Sequence, residues 1–162
     1  IDNALEEVRS ISHNLSKGML AKLGLKDALY NFADSIQKAQ QTEVTVHVHD
    51  MDDREDLETD LMIYRNIQEL VGNAIKHGGA NQIDVSITRI DDDFINIMVH
   101  DDGAGFNYEE IKANRQGGIG LFNMENMMRN QGGAFDVDSS PGKGTTIIMD
   151  IPIKNQKESA QS

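Results

Sequence analysis

Arg65, Glu69, Asn73 and His77 recur at four-residue steps in the middle of the chain. On an α-helix each such step turns only about 40° past a full circle, so the side chains share one face. Ile67, Leu70, Val71, Ala74 and Ile75 take the opposite, core-directed side. A carboxylate, an amide and an imidazole presented together could handle a proton or a hard cation such as Mg²⁺, and Asn73, a mediocre helix residue, is the odd member. A solvated outer face of an amphipathic helix would read the same way. Three glycine-bearing stretches follow. Asp101-Asp102-Gly103-Ala104-Gly105-Phe106 sets a carboxylate before alternating glycines, which suits close backbone approach to a flat ligand whose exocyclic amine the acid accepts from. An Asp-Gly turn after a strand is the plainer reading. Gly117-Gly118-Ile119-Gly120-Leu121 opens a helix whose N-terminal amides could hold phosphate oxygens, or is simply a flexible loop. Gly142-Lys143-Gly144-Thr145-Thr146, taken alone, is a turn between strands. The Walker pattern GxxxxGK[ST] is missing, so a phosphate site here would be of another design.

The elements that must position these residues can be read from periodicity. Leu5, Val8, Ile11, Ser12 and Leu15 form one helical stripe over residues 2–16, with a break expected at Ser16-Lys17-Gly18. Leu25, Leu29, Phe32 and Ile36 support a second helix over 25–41, and Val44, Val46 and Val48 alternate in a strand over 42–49. The acidic run 50–60 reads as a solvated turn. The polar ladder lies on a helix over 57–77, stopped by Gly78-Gly79. Ile83, Val85 and Ile87, then Ile95, Ile97 and Val99, alternate about Asp91-Asp92-Asp93 as an antiparallel hairpin. Residues 103–120 are too irregular for a regular element and long enough for a functional loop. A helix over 121–130, strands around Phe135 and over 146–153, and a disordered tail at 154–162 complete the reading. Three helices and five strands, not strictly alternating, predict an α+β two-layer α/β sandwich with a mixed sheet.

Composition narrows the function. The chain has 162 residues, 38% of them apolar, which suits one core. With 15 basic and 27 acidic residues the formal charge is -12, which argues against nucleic acid as a partner. Cysteine is absent, excluding disulfide scaffolds, thiolate metal sites and cysteine nucleophiles. No apolar run approaches the roughly 20 residues of a membrane-spanning helix, and no signal-peptide pattern opens the chain. The start at Ile1, within a helical pattern, leads us to expect a piece of something longer.

Order and spacing raise these weak signals together. Glu69-x3-Asn73, Asp101-x-Gly103-x-Gly105, Gly118-x-Gly120-Leu121 and Gly142-x-Gly144-Thr145 resemble the N, G1, G2 and G3 boxes of the GHKL ATP-binding superfamily. The run from Tyr64 to His77 looks like that of bacterial sensor histidine kinases. Val8 to Leu15 and Leu23 to Leu29 are similar to the dimerisation helix and its continuation in the subfamily that partners LuxR-type response regulators. The resemblance implies the Bergerat fold, with residues 1–41 as partial dimerisation and linker helices and 42–153 as the ATP-binding catalytic domain. It implies ATP and Mg²⁺ as cofactors, with Asn73 holding Mg²⁺ and Glu69 acting as general base toward a histidine. Asp101 would accept from the adenine amine, with Gly103 and Gly105 admitting the ring and Thr145 joining through water. Lys76 and His77 would lie near phosphates or ribose. Gly118 and Gly120, followed by Leu121, would hinge a short lid over residues 106–117.

The resemblance further implies a homodimer in the full-length protein, a response regulator receiver domain as partner, and a cytoplasmic location. Ile11-Ser12-His13-Asn14-Leu15 superficially resembles a phosphoacceptor box, but Asn14 stands where an acid is usual and Gly18 where Pro is usual. Residues 14–68 also leave no room for a second hairpin helix, so the acceptor is expected on an upstream helix. His47, His49 and His100 read as ordinary strand residues, and Met124, Met127 and Met128 as packing. Another GHKL ATPase, an anti-sigma serine kinase, or a nucleotide-binding module without transfer are the rival readings.

Overall fold

The structure, a computed structural model, describes residues 15–51, 56–114 and 118–153. The stripe from Leu5 to Ile11, His13, Gly117 and the tail 154–162 lie outside the described residues. Five helices and five strands are present among those described: α1 (15–23), α2 (Leu25–Gln40), β1 (Glu43–His49), α3 (Leu57–Lys76), β2 (Gln82–Ile90), β3 (Phe94–Asp101), α4 (Tyr108–Asn114), α5 (Ile119–Asn130), β4 (Ala134–Ser139) and β5 (Thr145–Pro152). The expected break at Ser16-Lys17-Gly18 falls instead at Gly24, whose φ of 80° a side-chain-bearing residue rarely adopts. Helix α1 therefore runs through Gly18 and brings Leu20 into the core at 1% exposure.

The sheet order is β1-β2-β3-β5-β4. β1 and β2 pair in parallel because α3 carries the chain back between them, and the remaining neighbours are antiparallel. Strict alternation makes one face apolar: Val44, Val46, Ile83, Val85, Ile87, Ile95, Ile97, Val99, Ile147, Met149 and Ile151 are all buried. The helices lie on that face, and Ala28, Leu29, Ile63, Ile67, Val71 and Met128 close the second layer. Fully burying each large aliphatic side chain stabilises the fold by about 1.5–3 kcal/mol, so this seam fixes where the helices sit. The α+β two-layer expectation holds, with helices in addition to the expected three.

The acidic run between β1 and α3 does more than stay solvated. Asp56 caps α3, its Oδ1 accepting from the Thr59 amide at 2.8 Å, and Asp60 is buried. At the other end the Ala80 amide donates to the Ala74 carbonyl at 3.0 Å as the chain turns through Gly78 and Gly79 into β2.

Candidate functional site

The core-facing stripe of α3 points its opposite face at the loops that follow β3 and β4. Glu69, Leu70, Asn73, Ala74 and His77 form one wall of a cleft of about 440 Å³. Gly78, Asp101, Gly105, Phe106, Ile111, Gly118, Gly120, Thr145 and Ile147 complete it. Arg65, the first rung of the ladder, is exposed and outside the lining, since the drift of about 40° per step turns it away. Lys76 is likewise exposed on the last turn of α3 and does not line the cleft. The side chains of Glu69 and Asn73 make no hydrogen bond or ion pair with a described residue, leaving a carboxylate and an amide open toward the cavity.

The adjacent acids at the end of β3 have separate jobs. Asp101 is 7% exposed, and its Oδ1 accepts from the Gly103 amide at 2.8 Å. Burial pushes its carboxyl above the ordinary 3.8, against the Gly103 amide and His100, which pull it down. Asp102 faces outward, and its Oδ1 accepts from the Asn81 and Gln82 amides at 2.8 and 2.9 Å, which hold it below the ordinary carboxylate range. Asp102 thus ties the loop to the start of β2 and leaves Asp101 to the cleft. The sequence reading missed it, although a second consecutive acid was the available signal.

The glycines answer mainly to the protein's own backbone. A Cβ on Gly103 would lie 2.8 Å from Asp101 Oδ1 and 2.9 Å from the Gly78 carbonyl, and Gly103 is not part of the cleft wall. Here the Ala104 amide donates to the Gly78 carbonyl at 2.8 Å, locking the loop onto the C-terminus of α3. Gly105 does line the cleft, yet its Cβ would strike the Ser140 carbonyl at 2.1 Å. A Cβ on Gly120 would come 2.6 Å from Glu69 Oε1, so glycine there keeps the carboxylate in place. Leu121 is a buried core residue.

Ser139, which the sequence suggests only as the start of a turn running to Gly144, ends β4 and joins three pieces. Its Oγ accepts from the Phe106 amide at 2.9 Å, donates to the Gly144 carbonyl at 3.1 Å and lies 2.9 Å from Thr145 Oγ1. Thr145 is itself paired across the sheet with Asp101, so both reach the same end of the cleft.

The stretch expected to be irregular contains α4, which buries no residue completely. It is held to α5 by a polar cluster instead. Tyr108 Oη donates to Glu125 Oε2 at 2.7 Å, Arg129 donates to Glu125 Oε1 at 2.7 Å, and Lys112 Nζ lies 3.5 Å from the same oxygen. Glu125 is 6% exposed, and the Tyr108 bond leads the influences that lower its carboxyl. Burial first, then the Glu125 bond, raises the Tyr108 hydroxyl.

The profile of the family described as histidine kinase-, DNA gyrase B-, and HSP90-like ATPase matches residues 58–155. The chain belongs to this ATPase family. Within it, the chain is similar to a sensor-like histidine kinase of Chloroflexus aurantiacus, 36% identical over 92% of this chain and 26% of that protein. It is also similar to the oxygen sensor histidine kinase NreB of Staphylococcus carnosus, 28% identical over 92% of this chain and 42% of NreB. The sensor histidine kinase LiaS of Bacillus subtilis is 30% identical over 93% of this chain and 40% of LiaS. The chain therefore spans less than half of each of these relatives. Among solved structures, the blue-light activated histidine kinase of Erythrobacter litoralis EL346 superposes with a TM-score of 0.62 at 23% identity, over 80% of this chain and 42% of that one. The ATP-binding domain of PrrB from Mycobacterium tuberculosis gives 0.56 at 19% identity, over 80% of this chain and 93% of that one. These likenesses establish the fold, and the family establishes an ATP-binding catalytic domain of the histidine-kinase, GHKL type.

Proposed function

We propose that the cleft binds Mg-ATP and that the chain supplies the catalytic half of a sensor histidine kinase, moving the γ-phosphoryl group to a histidine on an upstream helix. The observation that carries this is the convergence of Glu69 and Asn73 on α3 with Asp101, Gly118, Gly120 and Thr145 around one cavity. An aspartate of a response regulator receiver domain, of the kind linked to LuxR-type output, would then take the phosphoryl group. Homodimerisation of the full-length protein through the helices before α2, and a cytoplasmic location, follow from the same reading. Among the described residues no helix is long and apolar enough to cross a membrane.

The residues fit the ligand. Asp101 and Thr145, which line the cleft, would meet the adenine, Glu69 and Asn73 lie along the α3 wall, and His77 lines the cavity where ribose or phosphate would pass. No cluster of three or more His, Asp or Glu among the described residues could hold a metal alone. A cation at Asn73 would therefore draw most of its ligands from nucleotide phosphates and water. Such a magnesium ion would neutralise charge as the phosphoryl group leaves. Glu69, unpaired and exposed, would orient the incoming imidazole and take its proton. Gly118 and Gly120 would hinge α4 over the phosphates, with Leu121 anchoring the hinge in the core. Gly103 holds the loop, and Lys76 would reach the phosphates only by extending from outside the cleft wall.

Titrating the chain with Mg-ATP, then adding a separately made histidine-bearing helix and γ-labelled ATP, tests the reading. Phosphohistidine on the helix is the expected product. Glu69→Gln should retain ATP binding while transfer falls by about 100-fold or more. Label on a serine would indicate an anti-sigma type kinase, binding without transfer would indicate a module, and no binding would overturn the proposal.

A further inference from the structure

We infer that Ser139 is a positioning residue that selects the purine: it holds the Thr145 hydroxyl as an acceptor toward the cleft, where it opposes a 6-oxo base. The inference rests on the proposed placement of adenine beside Asp101 and Thr145, and it concerns a residue outside the cleft wall.

The reasoning is a count of protons. A serine hydroxyl has one proton and two acceptor lone pairs. The Phe106 amide, at 2.9 Å, can only donate, so it occupies one lone pair of Ser139. The Gly144 carbonyl, at 3.1 Å, can only accept, so it takes the one proton. Thr145 Oγ1 at 2.9 Å must then donate into the lone pair that remains. With its proton turned toward Ser139, Thr145 offers the cleft lone pairs alone. Asp101, ionised, also offers only acceptors, and its Oδ1 is already engaged by the Gly103 amide. The base end thus presents acceptors from two neighbouring strands, paired as Asp101 with Thr145 across β3 and β5. An exocyclic amine, or a water donating to Thr145 while it bridges to the base, satisfies them. A 6-oxo purine keeps a donor only at N1 and sets an acceptor, O6, where the amine would donate to these groups. Without Ser139 the Thr145 proton is free to rotate inward, and half of that rejection disappears.

The same serine also anchors the loop through Phe106, so loss of affinity alone would not distinguish positioning from scaffolding. The ratio of affinities for ATP and inosine triphosphate does distinguish them, because a displaced loop weakens both nucleotides alike. Calorimetry on the 162-residue chain with Mg²⁺ should show Ser139→Ala losing about fivefold in ATP affinity. Its affinity for inosine triphosphate should hold or improve, so the ATP preference contracts by about fivefold or more. Ser139→Thr, which keeps the hydroxyl, should restore the preference. In a Thr145→Val background, Ser139→Ala should leave the ratio unchanged, since the group it acts through is gone. If Ser139→Ala melts below the assay temperature, Ser139→Cys, whose sulfur accepts only weakly, should shift the ratio in the same direction by a smaller factor. Equal weakening of both nucleotides by Ser139→Ala, or an additive effect on the ratio in the Thr145→Val background, would overturn the inference. A wild-type chain that binds ATP and inosine triphosphate equally would sink it too, while a chain that binds neither would instead refute the ATP site itself.

Discussion

Replacing Tyr108 by phenylalanine removes one hydroxyl from the seam between α4 and α5 and leaves the ring in place. That hydroxyl donates to Glu125, a carboxylate only 6% exposed whose other partners are Arg129 at 2.7 Å and Lys112 at 3.5 Å. A hydrogen bond to an ionised partner contributes about 1.5–3 kcal/mol when shielded. Tyr108 is only half-buried and two cations remain near Glu125, so screening reduces the expected loss to about 1 kcal/mol. For a chain of this size that is a fall in Tm of roughly 2–4 °C at neutral pH. The pH dependence follows from the direction of the Glu125 shift. Its carboxyl lies below the ordinary 4.5 in the folded protein, with the Tyr108 bond the leading cause. Its contribution is therefore complete above the unfolded value and lost as pH falls through the folded one. Thermal melts of wild type and Tyr108→Phe should accordingly differ at neutral pH and converge in acid. Hydrogen exchange adds a local readout: α4 has no fully buried residue, so its amides should exchange faster in the variant while those of β3 and β5 do not change. A variant whose melting gap stays constant down to acid pH, or whose exchange rises evenly across the sheet, would show that Glu125 is not what holds α4.

Two other perturbations probe the base end of the cleft. Because burial raises the Asp101 carboxyl above 3.8, ATP affinity should weaken on acidification at a higher pH than an ordinary aspartate would give. Protonation turns an acceptor into a donor facing the amine, and Asp101→Asn should abolish that part of the profile in calorimetry repeated across pH. Gly144→Ala should destabilise the chain by about 2 kcal/mol or more, read as a fall in the midpoint of urea unfolding. Its φ is 70° and an added Cβ would meet the Asp101 carbonyl at 2.1 Å, so a neutral outcome would contradict the packing described between β5 and the loop after β3.

What the sequence revealed and what it hid divide along the range of the forces involved. Helix α3 was legible almost to its ends because Ile63, Ile67, Leu70, Val71 and Ala74 repeat with the helical period and Gly78-Gly79 follow at once. The hairpin of β2 and β3 was legible from its alternation about the aspartate turn. Helix α4 was not, because it buries no residue completely and so has no apolar stripe to detect. The break before α2 was misplaced because Gly18 and Gly24 look alike in sequence, and only the packing of Leu20 separates them. Glu69, Asn73, Asp101 and Thr145 were named from the resemblance of their motifs to the boxes of the GHKL superfamily. Ser139 and Asp102 were missed because their contacts join residues 33 and 20 positions apart in the chain, and the one local sign, an acid next to Asp101, does not show which amides it meets.

These long-range contacts also explain how a cleft assembled from scattered motifs keeps its dimensions. The α3 wall and the Asp101 loop are joined backbone to backbone, through Ala104 and Gly78, rather than through side chains that could repack. Asp101 and Thr145 are joined by strand register, again a backbone constraint. The span from the proposed base end to Glu69 and Asn73 is thus set by rigid elements. The segment proposed as a lid leaves this frame at Phe106, whose amide is fixed to Ser139, and returns at Gly118, whose carbonyl accepts from Phe122 as α5 begins. Among the described residues between those anchors, Tyr108 packs against the core and α4 is tied to α5 by its polar seam with Glu125. On the proposed reading, changes in length or helicity between the anchors would alter nucleotide exchange without disturbing the span from the base end to Glu69 and Asn73.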